Sequence, residues 1–127
     1  MDSEALLPLC GQALTLAEKL VDESRRCVSA LVLKDGKPSA ALIDTHQMAT
    51  HGFAWQATYV EALREALRWA QNLRAALAFT DVEAAILLLG FAEYLMQLGG
   101  GIPISQTEMI RPSDIGVPAD IVQDYLA

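Results

Sequence analysis

Between Ala49 and Leu73 the apolar residues fall on two helical stripes at once. One carries Ala49, Phe53, Val60, Leu63, Leu67 and Ala70; the other carries Trp55, Tyr59, Ala62, Ala66, Trp69 and Leu73. Spacings built from threes and fours place each set on one side of a helix, and two such sides need two packing partners. This pattern predicts the central rod of a helical bundle. Only a narrow edge of Glu61, Arg64, Glu65, Arg68 and Arg74 is left for water, with Glu61–Arg64 and Glu65–Arg68 at the i,i+3 spacing of solvated ion pairs.

The partners for that rod lie on either side of it. Upstream, Leu7, Cys10, Leu14, Ala17, Val21, Ser24, Val28 and Leu31 alternate at three and four, a single stripe on a long first helix. A helix opening at Ser3 would set the Pro8 ring against the carbonyl of residue 4, so regular helix is expected from about Pro8. Asp35-Gly36 ends it. The same dipeptide between apolar runs is also a hairpin signal, and CVSALVLKDGKPSAALID as a β-hairpin is the rival reading. Asp44 is placed to cap the central helix, with Gln47 in the reciprocal position.

Downstream, Thr80-Asp81-Val82-Glu83 is a capping box, and AAILLLGFAEYLMQL behind it is apolar nearly all round, which predicts the most buried helix of the set. Gly90 in its middle costs roughly 1 kcal/mol against Ala and marks a close backbone approach by a neighbouring helix or a ligand. Ser105-Gln106-Thr107-Glu108 reads as one more capping box, for a short helix stopped by Pro112, and Pro118 to Leu126 as a last turn or two. The expected fold is all-α: one domain over residues 1–127, an up-and-down bundle with long helices about 8–34, 45–78 and 81–98 and a short helical C-terminal segment. Asp120, Asp124 and the final alanine suggest a chain cut from something longer.

Composition narrows the partners. With 53% hydrophobic residues in 127, the chain can bury a core of its own. Nine basic residues against sixteen acidic give a net charge of −7, and no Lys/Arg cluster exists to neutralise a run of phosphates, so nucleic acid is not an expected partner. Glu83 and Glu93 bracket the longest apolar run and the start MDSEALLP lacks a signal peptide's basic region, so neither a membrane partner nor export is expected, and the location is taken as cytoplasmic. Cys10 and Cys27 share one helix and would stand ~25 Å apart, beyond disulfide reach; both are expected as reduced packing residues.

Few residues offer chemistry. A carboxylate-bridged di-metal bundle needs Glu-x-x-His pairs, and the chain contains none. His46 and His51 are five apart, about 140° around a helix, a poor arrangement for zinc. Glu93 is the ionisable group within the apolar third helix; buried, it would be a candidate general base, whereas at a helix edge, or paired with an arginine of the central helix, it would be structural. The glycines of QLGGGIPIS follow a helix, at the negative end of its dipole, whereas phosphate loops precede one. They are therefore expected to close the helix, with one glycine left-handed at C′ and Pro103 preventing continuation. Three glycines exceed what a cap needs, leaving room for a ligand or a second chain.

HQMATHGFAWQATYVEALREALRWAQNL, followed by GFAEYLMQLGGGIPISQTEMIRPSDIG, resembles the helical extension that precedes the catalytic part of methylsuccinyl-CoA dehydrogenase-like members of the acyl-CoA dehydrogenase family. The likeness covers roughly residues 44 to 117, and its most specific part is H-G-x-A-W-x-A-T-Y-V-E-A-L from His51 to Leu63. Gln97, Gly100 and Gly101 also match the Q-x-x-G-G turn of that family's C-terminal helical domain, which contacts the FAD of a neighbouring subunit. The resemblance thus implies a cofactor-binding role for those three residues. The chain departs from the family in having no stretch for its β-sheet domain, in Ile102-Pro103-Ile104-Ser105 where the flavin turn continues differently, and in offering no match for the catalytic carboxylate. With these departures the resemblance implies an accessory bundle that has no catalytic residue and no cofactor of its own, FAD belonging to the parent enzyme. It would act in packing and oligomerisation, as a homodimer or against a catalytic core. The alternative is a flavin- or acyl-CoA-binding bundle in which Trp55, Tyr59, Trp69 and the glycine turn line a pocket.

Overall fold

The computed structural model describes residues 2–127. Its first helix, α1 (Ser3–Val32), is capped by Asp2, whose side chain accepts a hydrogen bond from the Glu4 N–H at 3.0 Å. The helix therefore starts ahead of Pro8 rather than at it. The backbone bond that Pro8 cannot make falls in an exposed early turn, where solvent can replace it, and the extra turn buries Leu6 and Leu7. Every stripe residue from Leu7 to Val28 is buried, and the Ser24 hydroxyl satisfies itself by donating to the Leu20 carbonyl at 3.3 Å.

Past Val32 the chain makes a small antiparallel hairpin, β1 (Leu33–Lys34) with β2 (Lys37–Pro38). Asp35 and Gly36 both take positive φ, 52° and 74°, as a two-residue hairpin turn demands. The rival hairpin thus exists in miniature, while the apolar run ahead of it is helical. A short helix follows, α2 (Ala40–Thr45), capped by Ser39, which accepts from Leu42 N–H at 3.4 Å. Asp44 consequently sits inside α2 and does not cap the central helix. Ser39 offers an earlier start, the chain breaks at His46, and α3 (Gln47–Ala75) begins there without a side-chain cap.

α4 (Asp81–Gly100) starts as expected: Glu83 accepts from the Thr80 N–H at 2.9 Å and from the Thr80 hydroxyl. Beyond it, β3 (Ile102–Pro103) pairs antiparallel with β4 (Met109–Ile110). The helix expected from Ser105 does not form. Its cap bonds do, since Ser105 Oγ accepts from Thr107 and Glu108 N–H at 3.3 and 3.0 Å, but they close a turn of the ladder that buries Ile102 and Ile110 completely. Pro112, expected to stop a helix, instead opens one, α5 (Pro112–Ile115), its fixed φ suited to a first turn. α6 (Ala119–Leu126) completes the chain.

Ion pairs between Glu4 and Arg74 (3.6 Å) and between Glu18 and Arg64 (3.1 Å) show that α1 and α3 run antiparallel. Their seam is the core, with Ala17, Leu20, Leu63 and Ala70 at its centre. α4 lies across both as the third rod, and the molecule is the all-α up-and-down bundle expected. The burial of α4 is not as expected. Leu87, Phe91 and Leu98 are its buried residues, while Val82, Ile86, Leu88, Leu89 and Met96 are exposed. Two long neighbours can bury one side of α4, and α6, which packs near its C-terminal end, is too short to cover the rest. By length and composition α4 is also long and apolar enough to cross a membrane, so Glu83 and Glu93 do not break the run as the sequence suggested.

Candidate functional site

The residues singled out from the sequence converge on one edge, where the second stripe of α3 meets α4. Tyr59 stacks on Tyr94 with ring centroids 4.2 Å apart and planes 18° from parallel. The Tyr59 hydroxyl donates to Gln97 Oε1 at 2.5 Å, and Gln97 Nε2 donates to Glu93 Oε1 at 2.8 Å. On α3 the row continues through Trp55, edge-on to Tyr59, whose indole N–H donates to His51 Nε2 at 2.9 Å. Burial, and then the neighbouring Tyr94 and Glu93, push the Tyr59 pKa up, so its phenol remains a donor at neutral pH.

This row ties the second stripe of α3 to α4. A carboxamide offers an N–H at one end and a carbonyl at the other, so Gln97 ties Tyr59 to Glu93 without exchanging a proton between them. Glu93 is exposed, which places it at the helix edge, and its partner is Gln97 rather than an arginine. His46 is half-buried at the start of α3 and makes no side-chain cap bond. Among the described residues no three His, Cys, Asp or Glu side chains gather where they could hold a metal ion, and both cysteines are free.

The glycine turn sits at the end of the same edge. A Cβ on Gly99 would lie 2.8 Å from Leu126 Cδ2 and 3.0 Å from Tyr125 Cε1, so this glycine lets α6 cross α4. Gly101 has φ 135°, a Cβ there would collide with Met109, and its N–H donates to the Gln97 carbonyl at 2.8 Å. Gly100 is exposed with nothing within 4 Å of its Cβ position. Of the three residues matched to a flavin-contacting turn, Gln97 has both ends of its amide engaged and Gly101 is buried by its own chain.

Two shallow grooves flank α4. One, about 250 Å³, is lined by Ala62, Ala66, Trp69, Ile86, Gly90 and Tyr94. The other, about 310 Å³, is lined by Ala13, Leu16, Leu95, Met96, Tyr125 and Leu126. A Cβ on Gly90 would meet nothing within 4 Å, so the close neighbour expected there is not supplied by this chain. Tyr94 and Gln56 are among the residues of this region that the sequence pattern did not single out. Gln56 is fully buried, and neither atom of its amide has a hydrogen-bond partner. Its signal was present: 49, 53, 56, 60, 63, 67 and 70 form one unbroken four-three series, with Gln56 in a core position.

The chain is 44% identical over 112 residues, 88% of its length, to (2S)-methylsuccinyl-CoA dehydrogenase of Cereibacter sphaeroides. It is a partial relative of an acyl-CoA dehydrogenase. The match spans 20% of that dehydrogenase, so the relation is that of a domain or fragment to a much longer protein. No family model matches the chain. Within this acyl-CoA dehydrogenase relative, 88% coverage takes in most of the bundle and so extends beyond residues 44 to 117, the span that carries the resemblance in sequence.

Proposed function

We propose that the chain is an accessory helical domain of an acyl-CoA dehydrogenase-like flavoenzyme, without a reaction centre of its own and acting in packing and oligomerisation. The observation that carries this reading is the match of nearly the whole bundle to only one fifth of a dehydrogenase. The α3–α4 edge supports it. Its aromatic and amide groups are engaged with one another, in a clamp that holds two helices in register. Catalysis and FAD would belong to the rest of such an enzyme.

The test is complementation. The matched fifth is deleted from the methylsuccinyl-CoA dehydrogenase and this chain is supplied as a separate polypeptide. Recovery of a stable assembly is expected, while the 127-residue chain alone neither takes up FAD, read by quenching of Trp55 and Trp69 fluorescence at micromolar flavin, nor oxidises an acyl-CoA. Flavin retention or turnover by the isolated chain would overturn the reading in favour of a cofactor-binding bundle.

A further inference from the structure

The outer face of α4 carries a pattern that no part of the chain uses. Val82, Ala85, Leu89, Ala92 and Met96 follow one another at spacings of three, four, three and four, the seam of a coiled coil, and all five are exposed. Val82, Leu89 and Met96 are 65%, 70% and 73% exposed, on a helix otherwise seated against α1 and α3. Large residues alternate with alanines along this seam. It is also nearly palindromic about Leu89, with a large residue seven positions to either side and an alanine between. A second α4 laid antiparallel with the axis at Leu89 therefore sets Leu89 against its own copy, Val82 against Met96 and Ala85 against Ala92, so the same patch serves both partners.

We infer that this face is the interface of a homodimer, formed by two α4 helices packed antiparallel about a two-fold axis near Leu89. The symmetry fits, because a closed dimer needs one patch that is complementary to itself. The size fits too. With Ile86, Leu88 and the half-exposed Trp69 beside it, the patch offers apolar area on the order of several hundred Å², approaching the ~800 Å² per partner of a standard interface. Antiparallel helix dipoles attract, and Glu93 lies beside the seam rather than on it. A bilayer suits the same grease less well: α4 has no Lys or Arg, and the chain's charge of −7 opposes an anionic lipid surface. The inference deepens the packing role proposed above by naming the face and the partner, but it stands on the surface of α4 alone.

Sedimentation of the 127-residue protein at tens of micromolar is expected to show a dimer, and Leu89→Glu, at an exposed position, is expected to weaken association at least about thirty-fold with the helical circular dichroism unchanged. Cross-linking tests the geometry without depending on affinity. Under mild oxidation Leu89→Cys should link two copies. Val82→Cys should not link to itself but should link to Met96→Cys in a mixture, with the parent chain, which retains Cys10 and Cys27, as background. A protein that stays monomeric, or one that remains monomeric while binding neutral or anionic phospholipid vesicles, overturns the inference. So does efficient self-linking through Val82→Cys, the sign of a parallel pair. A monomer that still complements the shortened dehydrogenase would sink the dimer and leave the accessory role standing, whereas a dimer that fails to complement would do the reverse.

Discussion

The α1–α3 seam and the outer face of α4 are built from the same kinds of residue and end in opposite places. Along the seam, Leu20 and Leu63 are 1% and 2% exposed; on α4, Leu89 is 70% exposed. α1 and α3 carry charged edges, and those edges choose for them which side turns inward. α4 has no such edge, so its hydrophobicity marks it as a helix without saying which side the bundle buries. An apolar helix is a demand for cover, and this chain meets only part of that demand.

The sharpest way to break the contrast is to truncate one leucine in each region. Leu63→Ala should cost about 2–5 kcal/mol in urea or guanidinium unfolding, whereas Leu89→Ala, measured at concentrations low enough to keep the chain monomeric, should stay within about 0.5 kcal/mol. Similar losses at both sites would mean that α4 is covered. The glycine turn makes the next comparison. Gly101→Ala forces a side chain into positive φ and into Met109 and should destabilise by about 1–3 kcal/mol. Gly100→Ala, helical and open, should stabilise by up to about 1 kcal/mol.

Gln56 tests the inside of the seam. Its amide is buried with neither atom paired, so Gln56→Leu should be neutral or stabilising by about 1 kcal/mol in the same unfolding assay; a clear loss would show that the amide is satisfied by something else in solution. The smallest effect is expected at the start of α4. Hydrogen bonds from Thr80 hold the Glu83 carboxyl below its ordinary value of 4.5. A depressed folded pKa means that the ionised form favours the native state. Its contribution is therefore present above that ordinary value and lost as pH falls through the lower, folded one. Glu83→Gln should flatten the acid limb of a stability-against-pH curve and leave the neutral region little changed. Burial pushes the Tyr125 phenol up to about 12, with the opposite sign: the docking of α6 is favoured below the ordinary tyrosine value of 10 and lost as pH rises through about 12. Absorbance titration should show this tyrosine ionising last.

Much of this contrast could be read from the residues. The stripes of α1 and α3 named the seam because a 3.6-residue period is a direct record of which side is wet. The misses are local competitions that a period does not record. Ser39 displaced Asp44 as a cap because it comes first after Pro38. Ser105 made its cap bonds but within a turn, since pairing Ile102 with Ile110 buries more than one short helix would. Pro8 was tolerated because its lost bond faces solvent. The candidate site was legible in part: Trp55, Tyr59, Glu93 and Gln97 do lie along one edge, but the stacking of Tyr94 on Tyr59, which joins them across two helices, depends on a pairing no single helix reveals.

The β1–β2 tip has a practical use. Asp35 and Gly36 stand at a solvent-facing bend, their backbone already in the geometry of a tight reversal, at the opposite end of α1 from the N-terminal cap. A fluorophore or a purification handle spliced between them would hang clear of both the leucine seam and the bare face of α4. Distance measurements between two such handles would then report how far apart a pair of molecules holds its arms.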